Sequence, residues 1–224
     1  MTRLKFEPIS VCKYETNGER EVIYGFHHFC VGFISDVIHL KAEKAYHGNE
    51  GYKRGIKESI ATPKAQGLTL AYLPKDKSDA DAHPGRLEEI PETWQKSEDH
   101  YFNFLWVNFP VFVFDNEVTR KLSVGDNFGE LVMCKAENET GDHGSKACND
   151  FREWLGNTVL KDNETVLESK ADYKLANGWR ITVPGGKSES TKISVDGELF
   201  NASEIHCTFL KERNVLQACQ KKKF

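Results

Sequence analysis

Tyr101-Phe102-Asn103-Phe104-Leu105-Trp106-Val107-Asn108-Phe109-Pro110-Val111-Phe112-Val113-Phe114-Asp115 is the most apolar run of the chain, and its reading decides the fold. Aromatic and β-branched residues dominate it, and they suit the half-buried surface of a pleated sheet. Pro110 falls in the middle. Inside a helix a proline removes a backbone hydrogen bond and costs ~3 kcal/mol, so two consecutive strands fit the run better than one helix. These strands are expected to form the heart of a sheet.

Toward the C-terminus, residues 130–136 read as a further strand. Ser145 is placed to cap a helix running to Leu155, with Ala147, Cys148, Phe151, Trp154 and Leu155 as its buried stripe. Strands follow at 165–169, 179–183 and 204–210, with a hairpin over 192–200 that turns at Asp196-Gly197. Toward the N-terminus, residues 26–47 carry apolar side chains every three or four positions and read as one amphipathic helix, with a strand over 37–42 as the rival. A shorter helix is expected over 50–60 and a strand over 68–73. The chain opens on a hairpin in which Ile9, Val11 and Lys13 alternate with their neighbours and Asn17-Gly18 supplies the turn. Residues 74–100 are rich in proline and charge and read as a polar loop or lid, a candidate sub-domain boundary. The sum is an α+β fold: a largely antiparallel β-sheet with two to three helices, in a single domain over 1–224.

The 224 residues are 39% hydrophobic, enough apolar surface to exclude a disordered chain. No run approaches the ~20 apolar residues of a membrane-spanning helix. A formal charge of −4 lacks the basic excess of a broad nucleic-acid footprint. The first residues contain no apolar secretory core, so the expectation is a cytoplasmic protein whose six scattered cysteines are reduced and mostly buried.

Several clusters invite a chemical reading. Glu168-Ser169-Lys170 closes the run Thr165-Val166-Leu167, and this arrangement resembles the strand of PD-(D/E)xK nucleases. The resemblance implies Glu168 and an upstream aspartate, Asp150 or Asp162, holding Mg²⁺, with Lys170 positioning a water; outside that reading no cofactor is indicated. His206-Cys207-Thr208-Phe209 is similar to one copy of the paired motif of the 2H phosphoesterases, which would make His206 an acid or base; the second copy is missing. His27, His28 and Cys30 are metal-capable residues within four positions, without C-x-x-C or H-E-x-x-H spacing elsewhere. Cys30 or Cys148 with His143 is the conceivable thiolate pair. The stretch Gly125–Leu131 resembles the cyclic-nucleotide-binding cassette without its phosphate-binding arginine, and Gly185-Gly186-Lys187-Ser188 is a P-loop tail without the upstream glycine. Tyr46, Tyr52, Lys53, Arg54 and Lys57 interleave rings with cations, as a nucleic-acid face does, and also as an ordinary solvated helix does.

No constellation is complete, and the 14 Phe, 7 Tyr and 4 Trp exceed what the sheet core obviously needs. Surplus aromatics anchor interfaces. The leading expectation is therefore a regulatory protein that binds a macromolecular partner, a protein or a second copy of itself, with nucleic acid also admitted. A metal-dependent phosphodiesterase or nuclease is the alternative, and a small-ligand binder with a β-rich pocket under residues 74–100 is the third.

Overall fold

The computed structural model describes residues 5–17, 21–45, 47–77, 89–108, 112–113, 116–117, 122, 128–137, 145–158, 170–184 and 191–219. In chain order the elements are β1 (Lys5–Thr16), β2 (Val22–Gly25), β3 (His28–Gly32), α1 (Phe33–Glu43), α2 (Gly48–Ser59), β4 (Gln66–Pro74), β5 (Gln95–Val107), β6 (Phe112–Val113), β7 (Asn116–Glu117), β8 (Gly129–Ala136), α3 (Lys146–Thr158), β9 (Asp172–Thr182), β10 (Thr191–Val195), β11 (Glu198–Ala202) and β12 (Glu204–Cys219). Ten strands make one sheet, ordered β11-β10-β3-β5-β4-β9-β12-β1-β2, with β8 pairing both β5 and β9; β6 and β7 pair separately. Every pairing among the described residues is antiparallel, and with three helices the fold is α+β, as the sequence predicts.

Residues 101–107 of the apolar run lie extended in β5, a strand that begins well before them; Phe112–Val113 form β6, which pairs with β7 and not with the main sheet, and residues 109–111 and 114–115 lie outside the described residues. β5 starts at Gln95, and its polar first half pairs with β4, while its aromatic second half lies between β3 and β8. β9 likewise pairs β8 with its first half and β4 with its second. β5, β4, β9 and β8 thus form a closed circuit around a buried cluster. Trp179 of β9 sits at its centre, 4.6 Å from Phe29, 5.5 Å from Phe104 and 6.1 Å from Trp106, ring to ring.

A register shift between Tyr101 and Asn103 explains how β5 fills two cores. A bulge moves the inward set from odd to even positions. Tyr101, Phe104 and Trp106 face the circuit, while Phe102, Leu105 and Val107 face the helices. There Phe102 stacks on Phe151 of α3 at 5.2 Å, and Phe33 of α1 meets the same ring edge-on at 5.2 Å. One aromatic from each element locks α1 and α3 to the sheet. α3 is the helix the sequence predicts: Ser145 Oγ accepts from Cys148 N at 3.1 Å, and Cys148, Phe151, Trp154 and Leu155 are buried. α2 leans on α1 and is tied to α3 by Arg152, which donates to the carbonyls of Ile60 and Ala61 at 3.2 and 2.6 Å beyond its C-terminal end.

Other expectations need correction. Residues 26–47 are a strand and then a helix, because Gly32 turns the chain with φ 85° and caps α1; the strand over 37–42 is absent. A Cβ on Gly32 would lie 2.6 Å from Phe102 O, so the turn also requires glycine's lack of a side chain. In β1 the buried residues are the even set Ser10, Cys12, Tyr14 and Thr16, while Val11 and Lys13 stand half-buried on the opposite face. The opening hairpin reverses over a longer connection, with Thr16 N donating to Glu21 O at 2.9 Å. Asn17 instead accepts from the backbone N–H groups of Ser203 and Glu204 through its side chain, which pins that connection to β12. The Asp196-Gly197 hairpin stands as read, with φ 51° and 87°, the left-handed pair a type I′ turn demands. The expected strand at 165–169 lies outside the described residues, as do residues 78–88 of the expected loop. No helix among the described residues is long and apolar enough to cross a membrane.

Candidate functional site

With both faces of the aromatic half of β5 covered, the polar groups of interest among the described residues lie at rims where strand ends meet turns and helices. One rim is the strip made by β3 and β10, which pair from Phe29–Val195 to Val31–Ile193. At one end of this strip the β10–β11 turn meets the bend between β2 and β3. Asp196 Oδ1 accepts from the backbone N–H groups of His27 and His28 at 3.0 and 2.8 Å, and Oδ2 from that of Phe26 at 2.9 Å. Its own N–H donates back to His28 O at 2.9 Å. Gly25 permits this approach, because a Cβ there would lie 2.6 Å from Val195 Cγ1 and 3.1 Å from Asp196 Oδ2. The two imidazoles converge, Nδ1 to Nδ1, at 2.9 Å. Burial holds both below the usual histidine range, His28 to about 4 with a further push from its neighbour. His27, His28 and Asp196 are the one group of three metal-capable residues with converging donor atoms among the described residues.

At the other end of the strip stands the first turn of α1. Ser35 Oγ donates to Lys192 O at 3.0 Å and Asn103 Oδ1 accepts from Ile34 N at 3.2 Å, which seats the helix start on β10 and β5. Asp36 is half-buried there, and burial raises its carboxyl above the ordinary range, against the pull of Lys192 and Lys64. A carboxylate so placed is a proton acceptor of enhanced basicity.

A second rim lies where α3 meets β8 and β9, around a cleft of about 270 Å³ lined by Lys135, Lys146, Asp150, Lys170 and Asp172 among others. Lys170 Nζ lies 2.5 Å from Asp150 Oδ1 and 3.3 Å from Glu153 Oε2, and Lys146 Nζ lies 2.7 Å from Asp150 Oδ2. Both carboxylate oxygens of Asp150 therefore carry an ammonium group, which lowers its pKa, first through Lys146 and then through Lys170. Asp150 and Lys170 do come together, but as an ion pair, and a metal would have to displace two cations to reach Asp150. Glu168 and Asp162 lie outside the described residues.

The remaining candidates disperse. His206 is 1% exposed on β12, between Glu15 and Arg180 in the ladder, with its ring 5.9 Å from that of Trp94. It is a packed strand residue with no opening toward a substrate. Cys30 is buried on the helix side of β3, away from the imidazoles, and burial pushes its thiol up; Cys148 is buried in α3, and His143 lies outside the described residues. On α2, Lys53 pairs with Glu50 and Arg54 with Glu58, while Lys41 of α1 sits 3.9 Å from the Tyr52 ring centre, so these cations are engaged within the helical layer. The sequence pointed to His27 and His28 but not to Asp196 or Asp36. The former reads as a turn residue and the latter as one more polar position on a helix, and only tertiary contact distinguishes them.

No known family and no curated protein matches the sequence. The fold, in contrast, has solved counterparts. The chain is similar over 92% of its length to a protein described as a diacylglycerol kinase of Bacillus anthracis str. Sterne, at 16% identity and a TM-score of 0.56. A second structure of that description from the same organism covers 92% at 11% identity and a TM-score of 0.50. The chain spans 55% and 52% of those structures, about half their length. This likeness corrects the expectation of a macromolecule-binding regulator, together with the nuclease and small-ligand alternatives: the fold is shared with structures described as diacylglycerol kinases. Much of the aromatic content behind that expectation is core: Phe29, Phe102, Phe104, Trp106, Phe151, Trp154 and Trp179 are all fully buried.

Proposed function

We propose that this chain forms the β-sheet part of a lipid kinase, which transfers the γ-phosphoryl group of a nucleoside triphosphate to a hydroxyl of a diacylglycerol-class lipid. The observation that carries the reading is the fold likeness to the kinase structures over nine-tenths of the chain. In such a transfer the lipid hydroxyl oxygen attacks the γ-phosphorus, the bond to the β,γ-bridging oxygen breaks, and the hydroxyl proton needs an acceptor. Asp36 suits that role: it is half-buried, raised by burial and adjacent to the buried apolar side chains Phe33 and Val37 on the same helix. Lys192 and Lys64 supply positive charge beside it, which favours a phosphoryl group in transit.

The test uses the longest natural form of the protein, because the chain spans about half of the structures it resembles. It is incubated with γ-labelled ATP, Mg²⁺ and mixed micelles containing diacylglycerol, and the lipid fraction is separated. Labelled phosphatidic acid supports the reading, and its loss in Asp36→Asn with the fold intact assigns the proton acceptor. Absence of label above an enzyme-free blank, with diacylglycerol and with other lipid hydroxyls, refutes it.

A further inference from the structure

We propose that His27, His28 and Asp196 bind one divalent transition-metal ion in a facial arrangement, with its remaining coordination positions open at the rim of the sheet.

The first support is local geometry. Successive side chains of an extended strand point to opposite faces. His27 and His28 break that rule because the bend at Phe26–His27 swings both rings to one side, leaving their Nδ1 atoms 2.9 Å apart. Asp196 brings a carboxylate from another element to the same point, and the three donor atoms lie within 4.8 Å of one another. Two imidazoles and one carboxylate are a donor set that binds borderline divalent ions well and Mg²⁺ or Ca²⁺ poorly.

The second support is that the outer shell already exists. Metal-bound carboxylates are held by hydrogen bonds that fix their orientation. Here three backbone N–H groups, from Phe26, His27 and His28, hold Asp196, and Gly25 leaves space for it. The hydrogen bonds orient the carboxylate and leave one acceptor site of Oδ2 uncommitted, since each carboxylate oxygen offers about two and Phe26 N takes one. At 2.9 Å one Nδ1 donates to the other, and an ion would take the place of the proton held between them.

The separation of the nitrogens selects the geometry. With metal–nitrogen bonds of about 2.0–2.1 Å, two nitrogens 2.9 Å apart subtend an angle of about 90° at the ion, whereas tetrahedral ligands would stand about 3.3 Å apart. A right angle belongs to octahedral sites, and two histidines with one carboxylate on one octahedral face leave positions for water or an oxygen ligand. Co²⁺, Ni²⁺ and Fe²⁺ therefore fit better than Zn²⁺. Such an ion would also clip the β10–β11 turn to the β2–β3 bend, so binding raises thermal stability.

The test takes the untagged chain, stripped with chelator and dialysed. Co²⁺, Ni²⁺, Zn²⁺, Mg²⁺ and Ca²⁺ are added separately, and bound metal is counted after equilibrium dialysis. The expected result is about one Co²⁺ or Ni²⁺ per chain, a rise in melting temperature, and the faint visible bands of octahedral Co²⁺. His27→Gln and His28→Gln should each weaken binding at least tenfold. Because Asp196 also holds the turn, Asp196→Asn is judged only where circular dichroism shows a native fold. Nitrogen-15 spectra of the wild-type imidazoles, which shift at the coordinated Nδ1, give a reading free of any variant. Undetectable binding, intense tetrahedral Co²⁺ bands, or equal binding by the His27→Gln/His28→Gln double variant overturns the proposal.

Discussion

Replacing Gly32 by alanine tests the strand-to-helix switch on which the placement of α1, and with it Asp36, depends. Two costs act together. At φ 85° an L-residue is strained by about 1–2 kcal/mol. The new Cβ would also stand 2.6 Å from Phe102 O, a backbone atom fixed in β5 between two neighbours, so relief requires moving the sheet or the helix. Overpacking of that kind costs about 1–3 kcal/mol. The expected sum is about 2–5 kcal/mol, a large share of the ~5–15 kcal/mol by which domains are stable. In a chain of this size each kcal/mol moves the melting temperature by about 2–4 °C, so Gly32→Ala should melt roughly 4–20 °C lower. Gly156→Ala is the internal control: it lies in α3, and a Cβ there meets nothing within 4 Å. The same chemical change should stabilise by about 1 kcal/mol at that position. Urea unfolding followed by circular dichroism and tryptophan fluorescence measures both. Equal small effects at the two glycines, or a Gly32→Ala loss under about 0.5 kcal/mol, would refute the argument.

Phe151→Ala removes the ring that Phe102 stacks on and Phe33 meets edge-on, and should cost about 3–5 kcal/mol in the same assay. In a Cys219→Ser background, the five buried thiols, Cys12, Cys30, Cys134, Cys148 and Cys207, should resist a disulfide reagent at neutral pH and react together on unfolding; prompt reaction of any of them in the folded protein contradicts their burial. Asp36 holds its proton to higher pH in the folded than in the unfolded chain, so the native state binds more protons between the two values. Its contribution to stability therefore falls as pH rises from the ordinary carboxylate range through the raised folded value, and is flat above it. Asp36→Asn should remove that slope and be at least as stable as wild type at neutral pH while losing phosphoryl transfer, as urea midpoints across pH 4–8 would show.

What the sequence made legible follows what is local. Ser145 and the 148/151/154/155 stripe define α3 because cap and period both lie within one element, and Asp196-Gly197 defines its hairpin because left-handed φ is a property of the turn itself. The period of residues 26–47 misled because β3 is buried on both faces. Phe29 and Val31 join the inner cluster while Cys30 joins the outer one, so a strand without polar alternation runs into the apolar stripe of α1. The parity of β1 was hidden because its buried set mixes Ser10 and Thr16 with Cys12 and Tyr14, and the early start of β5 because its first half is polar and largely exposed; within β5 the register shift at Tyr101/Asn103 overrules simple alternation. The site residues were least legible. Asp196 acts through contacts 168–170 residues away in the chain, and no local pattern reports them.

The two carboxylates of the β3–β10 strip can be treated as independent, and the distance along β3 is the reason. Asp196 sits by His28 at the start of β3, while Asp36 follows the strand's end at Gly32 and faces Lys192 at the start of β10. Four residue steps at about 3.3 Å separate the ends of the strand by about 13 Å. That is well beyond the ~4–6 Å over which a neighbouring charge shifts a pKa strongly, so charge placed at the imidazoles acts only weakly on Asp36. Coupling would have to pass through the backbone of β3, whose Phe29 and Val31 are locked in the inner cluster and are poorly able to shift. Occupation of the histidine corner should therefore change the stability of the turn and leave the protonation of Asp36 where it was. The metal proposal and the kinase proposal can accordingly fail separately: stripping the ion would lower the melting temperature without moving the pH dependence that belongs to Asp36.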